Sequence, residues 1–169
     1  ALKQAFKYCV ENFSKDDVIV TSDCDGQHKV EDVFKVYNVV SNHPEGFILG
    51  SRDFDQKNVP HKSRAGNKNI RRIFRFFYGI NVNDTQTGLR GFTVEMSEKF
   101  LEIKGDRFEY EMAQLIYAQK RNIPIYETPI TTVYPDIPED HKSHYRPFKD
   151  SMRVLGVTLK NLNWYMLSS

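Results

Sequence analysis

Asp23, Asp25 and Gln27 are three oxygen-bearing side chains spaced two residues apart, just after the apolar run Val18-Ile19-Val20. On an extended backbone that spacing puts Asp23 and Asp25 on one side, with Gln27 joining them if the extension persists. Carboxylate and amide oxygens so placed suit a hard divalent cation that also holds substrate phosphates. Position matters as much as type, because the C-terminal edge of an open α/β sheet is where ligands bind. Taken alone, Asp23-Cys24-Asp25-Gly26 reads more readily as an acidic β-turn than as a metal site.

Other polar groups cluster further along. Asp84-Thr85-Gln86-Thr87-Gly88-Leu89-Arg90 packs an acid, two hydroxyls, an amide and a guanidinium into one turn-rich stretch. Loops held by a scaffold are common places for function. Glu109 and Glu111 fall near the start of a predicted helix, where the dipole favours carboxylates whether or not they react. His141-Lys142-Ser143-His144-Tyr145-Arg146 offers basic groups and hydroxyls that suit a diphosphate. Its two histidines lack a nearby third ligand, which argues against zinc.

The elements that must position these groups follow from periodicity. The first ten residues read as a helix with Leu2, Ala5, Phe6, Cys9 and Val10 on one stripe, and residues 18–22 as a buried strand. Residues 30–42 form a helix with Val30, Val33, Phe34, Tyr37 and Val40 at helical spacing, ended by His43-Pro44. A strand over 46–50 then delivers Ser51-Arg52. Strand, helix, strand implies a parallel pair with a right-handed crossover, so the acidic loop and Arg52 emerge at one sheet edge. From Ser63 a helix carries Ile70, Ile73, Phe74 and Phe77 on one stripe, with Lys68, Arg71, Arg72 and Arg75 around the rest. Its charged side is either a solvated face or a surface for anionic lipid. Residues 92–94 are strand-like, 95–103 a short helix stopping at Lys104-Gly105, and 107–120 a helix with Phe108, Met112, Leu115 and Ile116 inward. Two short edge strands follow around Pro129. A last helix from about Pro147 sets Met152, Leu155, Leu159, Leu162 and Met166 on one stripe, with Trp164 and Tyr165 suited to an interface.

Composition narrows the class. A chain of 169 residues, 40% hydrophobic and 27% charged, is one globular domain with a core of its own. A net charge of +2 gives no global reason for nucleic-acid binding, and no nucleic-acid motif accompanies the basic helix. Cys9 and Cys24 make no disulfide framework, which fits a reducing, cytoplasmic setting. There is no run long enough to span a bilayer and no secretion signal.

Several segments together resemble one family. Val18 through His28, Gly50-Ser51-Arg52, Asp84 through Phe92, Phe108-Glu109-Tyr110-Glu111-Met112, Glu127-Thr128-Pro129-Ile130 and Ser143-His144-Tyr145-Arg146-Pro147 occur in the order seen in family 2 glycosyltransferases. The chain is most similar there to the dolichol-phosphate mannose synthase and polyprenyl-phosphate glucosyltransferase branch. The resemblance implies an α/β GT-A (Rossmann-like) fold, a mostly parallel sheet flanked by helices with short edge strands. It also implies a nucleotide-sugar donor, a UDP- or GDP-hexose, and Mg²⁺ or Mn²⁺ held by Asp23, Asp25 and Gln27. By the same resemblance Asp84, Arg90 and Glu111 are catalytic candidates. Arg52, Arg64, Gln86, Lys142 and Ser143 are expected to bind substrate, Arg64 by the looser match.

The activity implied is inverting transfer of a hexose to a polyprenyl (dolichyl or undecaprenyl) phosphate, at the cytoplasmic face of a membrane to which the protein is peripheral. A phosphate acceptor is already anionic and needs no strong base. A sugar-hydroxyl acceptor, the alternative in surface glycan synthesis, would need one, and Asp84 or Glu111 would supply it. Residues 1–169 are expected to be one GT-A domain lacking the family's first strand and base-binding motif. A non-catalytic domain that binds an anionic membrane through Arg71, Arg72 and Arg75 is the remaining alternative. The sequence sets no oligomeric state.

Overall fold

The computed structural model describes residues 1–24, 26–56, 59, 61–104 and 108–131, without the side chains of Lys62, Phe108 and Glu109. The expectations for Asp25, Lys142, Ser143, the Gly105 cap, the inward Phe108, Glu109, the 141–146 cluster and the last helix lie outside these residues. In chain order come α1 (Leu2–Asn12), β1 (Val18–Thr21), α2 (Val30–Asn42), β2 (Phe47–Arg52), α3 (His61–Tyr78), β3 (Arg90–Thr93), α4 (Val94–Leu101), α5 (Phe108–Lys120) and β4 (Ile125–Ile130).

The strands form one sheet in the order β1-β3-β2-β4. β2 and β4 pair in parallel, whereas β3 runs antiparallel to both β1 and β2. Three of the four described strands therefore point the same way, with β3 reversed in the middle. This is the α/β, GT-A-like class expected, and β1 and β2 do run alike, but β3 lies between them. Their C-terminal ends and the N-terminal end of β3 share one edge: Thr21 is opposite Arg90, and Arg90 is opposite Leu49.

Alternation along the strands loads both sheet faces. Ile19, Phe47, Leu49 and Phe92 face the larger core, packed with Phe6 of α1, Ile70 and Phe74 of α3, Phe100 of α4 and Leu115 of α5. Phe92 sits 5.3 Å from Phe6 and 5.2 Å from Phe100, both edge to face, an arrangement the ring quadrupoles favour. Ile48, Val18 and Val20 face the other way, onto Val36 and Val40 of α2. Gly91 makes that layer possible, since a Cβ there would lie 2.6 Å from a methyl of Val36 and another of Val40.

Three local expectations need correction. The inward face of α2 is Asp32, Val36 and Val40, while Val30, Phe34 and Tyr37 are 66%, 62% and 45% exposed. Asp32 faces in because it accepts hydrogen bonds from Lys35 Nζ at 2.6 Å and from the Thr131 backbone N–H at 2.9 Å. Burial opposes its ionisation, but these donors prevail and hold its carboxyl below the usual range. Residues 125–130 are one continuous strand rather than two, and Pro129 is tolerated because β4 pairs only with β2 among the described residues. α4 starts a residue earlier than expected, where Thr93 Oγ1 accepts from the Met96 N–H as an N-cap.

Candidate active site

Asp23 leaves the end of β1 with its side chain 56% exposed. It lies directly on the Cα of Gly88, where any Cβ would overlap the carboxylate. Thr21 Oγ1 donates to the Gly88 carbonyl at 3.2 Å, so the ends of β1 and of the loop before β3 are tied at this point. His28 lies beside them, with its side chain 3% exposed and Nε2 4.0 Å from Asp23 Oδ2. Its buried Nδ1 has no hydrogen-bond partner among the described residues.

A cavity of about 210 Å³ opens at this edge, lined by Leu2 and Phe6 of α1, Thr21 to Asp23, Gly88, Arg90, and Glu111 and Gln114 of α5. It is smaller than the roughly 300–1,000 Å³ of sites that enclose a drug-sized ligand. A part of a larger substrate fits it better than a whole one. Asp23, Arg90 and Glu111, far apart in sequence, are thus brought together.

Arg90 is 2% exposed and nearly spent on the protein itself. Nε donates to Thr87 O at 2.9 Å, and Nη1 to Glu111 O at 2.6 Å and to Gln114 Oε1 at 3.0 Å. Nη2 reaches Thr85 O at 3.4 Å, and the guanidinium lies over the Phe47 ring. It stitches β3, the preceding loop and α5 together and also lines the cavity.

Glu111 differs. Its carboxylate forms no hydrogen bond among the described residues, and burial, with a further push from Asp23, raises its pKa against the pull of Arg90. The folded chain therefore favours the protonated form. That stabilisation is complete below the ordinary carboxylate pKa and is lost as pH rises through the raised value. Glu111→Gln removes the titration, so its stability relative to the parent should rise across that interval and stay level below it. Urea midpoints at a series of pH values measure this, and a difference independent of pH would contradict it.

Arg52 and Asp84 form a second group at the same edge. Arg52 Nε and Nη2 donate to Asp84 Oδ2 at 2.6 Å and Oδ1 at 3.2 Å, a two-pronged, charge-assisted pair. Asp84 is fully buried and also accepts from the backbone N–H groups of Arg52 at 3.4 Å and Gln86 at 3.1 Å. Of the two candidate bases, then, Asp84 is committed to orienting Arg52, and Glu111 is the open one. Gln86 is half-buried in the turn that Asp84 caps. Arg64 donates to the carbonyls of Phe54 and Gln56, both at 2.9 Å, bracing the turn after β2.

Three contributors were not singled out from sequence. Glu127 of β4 accepts from Asn83 N at 2.6 Å, Asn83 Nδ2 at 2.9 Å and Asp84 N at 3.3 Å, fixing the Asp84 loop from the far strand. Nothing in its neighbourhood in sequence signals that pairing. Gly88 is legible only once its contact with Asp23 is seen. Gln114, by contrast, follows Glu111 at i+3 and so shares its helix face, a signal that was available.

The donor chemistry here fits a hard cation in part. Asp23 supplies an outward carboxylate and Gln27 an amide oxygen nearby in sequence, while no cluster of three or more His, Cys, Asp or Glu suited to a metal occurs among the described residues. No described helix is long and apolar enough to cross a membrane.

No family model matches the chain. Among curated proteins it is 37% identical over 124 residues, 71% of the chain and 51% of the relative, to an uncharacterized protein of Methanocaldococcus jannaschii. It is 34% identical over 122 residues, 70% of the chain and 49% of the relative, to a UDP-N-acetylglucosamine–dolichyl-phosphate N-acetylglucosaminyltransferase of Methanococcus voltae. A dolichyl-phosphate hexose transferase of Haloferax volcanii is 30% identical over 116 residues, 67% of the chain and 49% of the relative. The chain spans about half the length of the curated relatives it matches. Sheet topology, the ordered motifs and these relatives, at modest identity, together support a family 2 glycosyltransferase-like fragment with a GT-A-like sheet.

Proposed function

We propose that the protein transfers a hexose unit from a nucleotide sugar to a polyprenyl phosphate, with inversion at the anomeric carbon. The observation that carries the reading is the gathering of Asp23, Arg90 and Glu111 around one cavity, at the sheet edge where Asp84 also orients Arg52. The relatives named for transfer to dolichyl phosphate support the acceptor class.

An oxygen of the lipid phosphate attacks the anomeric carbon and forms a new C–O bond. The bond from that carbon to the nucleoside diphosphate breaks, and the electron pair leaves with the diphosphate. Asp23, Asp25 and Gln27 would hold Mg²⁺ or Mn²⁺, which when bound neutralises charge on the leaving diphosphate. Asp84 acts through Arg52 by fixing the direction of its guanidinium, and a fixed cation beside the phosphates lowers the barrier by positioning and charge. Because the acceptor is anionic at neutral pH, no residue has to remove a proton.

A second reading rests on Glu111. A partly desolvated carboxylate in the cavity, with no hydrogen bond among the described residues, is what a general base for a saccharide hydroxyl would be. One experiment separates the two: release of nucleoside diphosphate by the full-length protein with each acceptor, with and without divalent cation. Under the first reading, release requires polyprenyl phosphate and cation together, Asp23→Ala abolishes it, and Glu111→Gln keeps most of it. Under the second, saccharide supports release and Glu111→Gln loses about 10²–10⁴-fold. Undiminished release by Asp23→Ala sinks the metal-assisted mechanism in either form.

A further inference from the structure

The acidic loop hangs between two fixed ends, and only the first of them is made by residues of the cavity. At its start Thr21 is tied to Gly88, and Asp23 rests on that glycine. On the way the chain passes through Gly26, whose φ of 76° lies in the left-handed region. At the far end α2 begins on Lys29, which gives the helix no side-chain cap. A helix start without such a cap leaves backbone donors unmet and tends to fray. What holds this one is Asp32, in the first turn and 1% exposed. Its Oδ2 accepts the Thr131 N–H at 2.9 Å from 99 residues away, while Oδ1 accepts from Lys35 Nζ at 2.6 Å. Thr131 follows Ile130, the β4 residue opposite Arg52. The bond therefore pins the first turn of α2 to the sheet edge beside Arg52.

We propose that Asp32 is a positioning residue for the acidic loop. It touches no substrate. By clamping α2 to the end of β4, it fixes where the chain from Gln27 to Lys29 stands relative to Asp23 and Arg52. A helix that needed only a stable start could take it from a small hydroxyl or amide side chain at the cap position, at less cost than burying a carboxylate. The buried acid does what a local cap cannot, which is to tie that start to one point on a distant strand. Outer supports of this kind hold the groups that meet a ligand in a productive geometry. The inference rests on the transfer reading for what the loop holds, a cation and diphosphate oxygens, and on geometry alone for the clamp.

The test compares the full-length protein with its Asp32→Ala, Asp32→Asn and Thr131→Pro variants. Thr131→Pro removes the N–H from the other side of the clamp and leaves Asp32 with Lys35, so it reads the clamp even where Asp32→Ala does not fold. Amide hydrogen exchange followed by mass spectrometry should rise at least roughly five-fold over residues 26–34 in Asp32→Ala and Thr131→Pro, as loss of one hydrogen bond predicts, with β2 and α5 unchanged. Asp32→Asn keeps an oxygen for the Thr131 N–H and should restore most of the protection. Mn²⁺ titrated in the presence of UDP or GDP, followed by the paramagnetic resonance of the free ion, should bind roughly 10–100-fold more weakly to Asp32→Ala and Thr131→Pro. Exchange that rises equally in β2 and α5 overturns the proposal, because it marks general destabilisation. So does local exchange with parental Mn²⁺ affinity, or a Thr131→Pro variant that matches the parent in both. A parent that binds no Mn²⁺ counts against the metal-assisted reading instead, and exchange alone then decides: opening confined to residues 26–34 upholds the clamp, and its absence overturns it.

Discussion

Arg90→Met is expected to lower stability by about 4 kcal/mol or more, because it strands several buried acceptors at once. Methionine keeps the apolar stem against Phe47 but supplies no donor. Thr87 O, Glu111 O, Gln114 Oε1 and Thr85 O then lose their shared partner in a place where water does not readily replace it. Each such acceptor costs about 1–3 kcal/mol. The sum approaches the whole stability of an ordinary domain, about 5–15 kcal/mol. Arg90→Lys restores charge but not the planar fork, so its loss should fall between the parent and the methionine variant. Urea denaturation of the three proteins measures the series. A methionine variant within about 1 kcal/mol of the parent would mean that these bonds do not hold α5 to β3.

Arg52→Ala should be the next most damaging change, at about 2–4 kcal/mol, since it leaves the Asp84 carboxylate buried with only backbone donors. The figure sits below that of a wholly buried pair because the Arg52 side chain is 18% exposed. Asp84→Asn keeps the shape and removes the charge, so combining it with Arg52→Met should cost less than the two single changes added, by on the order of 1–3 kcal/mol. A double-mutant cycle in urea gives that coupling. Simple additivity would show that the short Nε–Oδ2 contact contributes nothing. The same double variant should fold and still fail to turn over, which separates the pair's structural part from its role in orienting Arg52.

Much of the frame was legible. An apolar run ending in acids, then a helix, then a second run ending in Arg52 is enough to require that both loops share an edge, and they do. The α2 stripe was misread because Val33 and Val40 belong to two overlapping stripes. The one that includes Phe34 and Tyr37 looks more apolar, yet the buried one contains Asp32. Lys35 Nζ, and the Thr131 N–H brought from just past the end of β4, make a buried aspartate tolerable there, and the second of these is not legible from the local sequence. Arg90 reads as a reactive group in sequence, since its partners on α5 lie 21 and 24 residues away. Asp84 and Glu111 were equivalent as bases for the same reason: what distinguishes them is whether another side chain already occupies the carboxylate.

The contact between Asp23 and Gly88 makes two distant positions one heritable unit. A side chain at position 88 would push the acid off the end of β1, so selection on the acid is also selection for the absence of a side chain across the cleft. Among natural variants of this chain, those that gain a side chain at 88 are expected to be the ones free to lose the acid at 23. A pair of alleles at these two positions would then report on whether a given copy still depends on that carboxylate, without an assay for what it transfers.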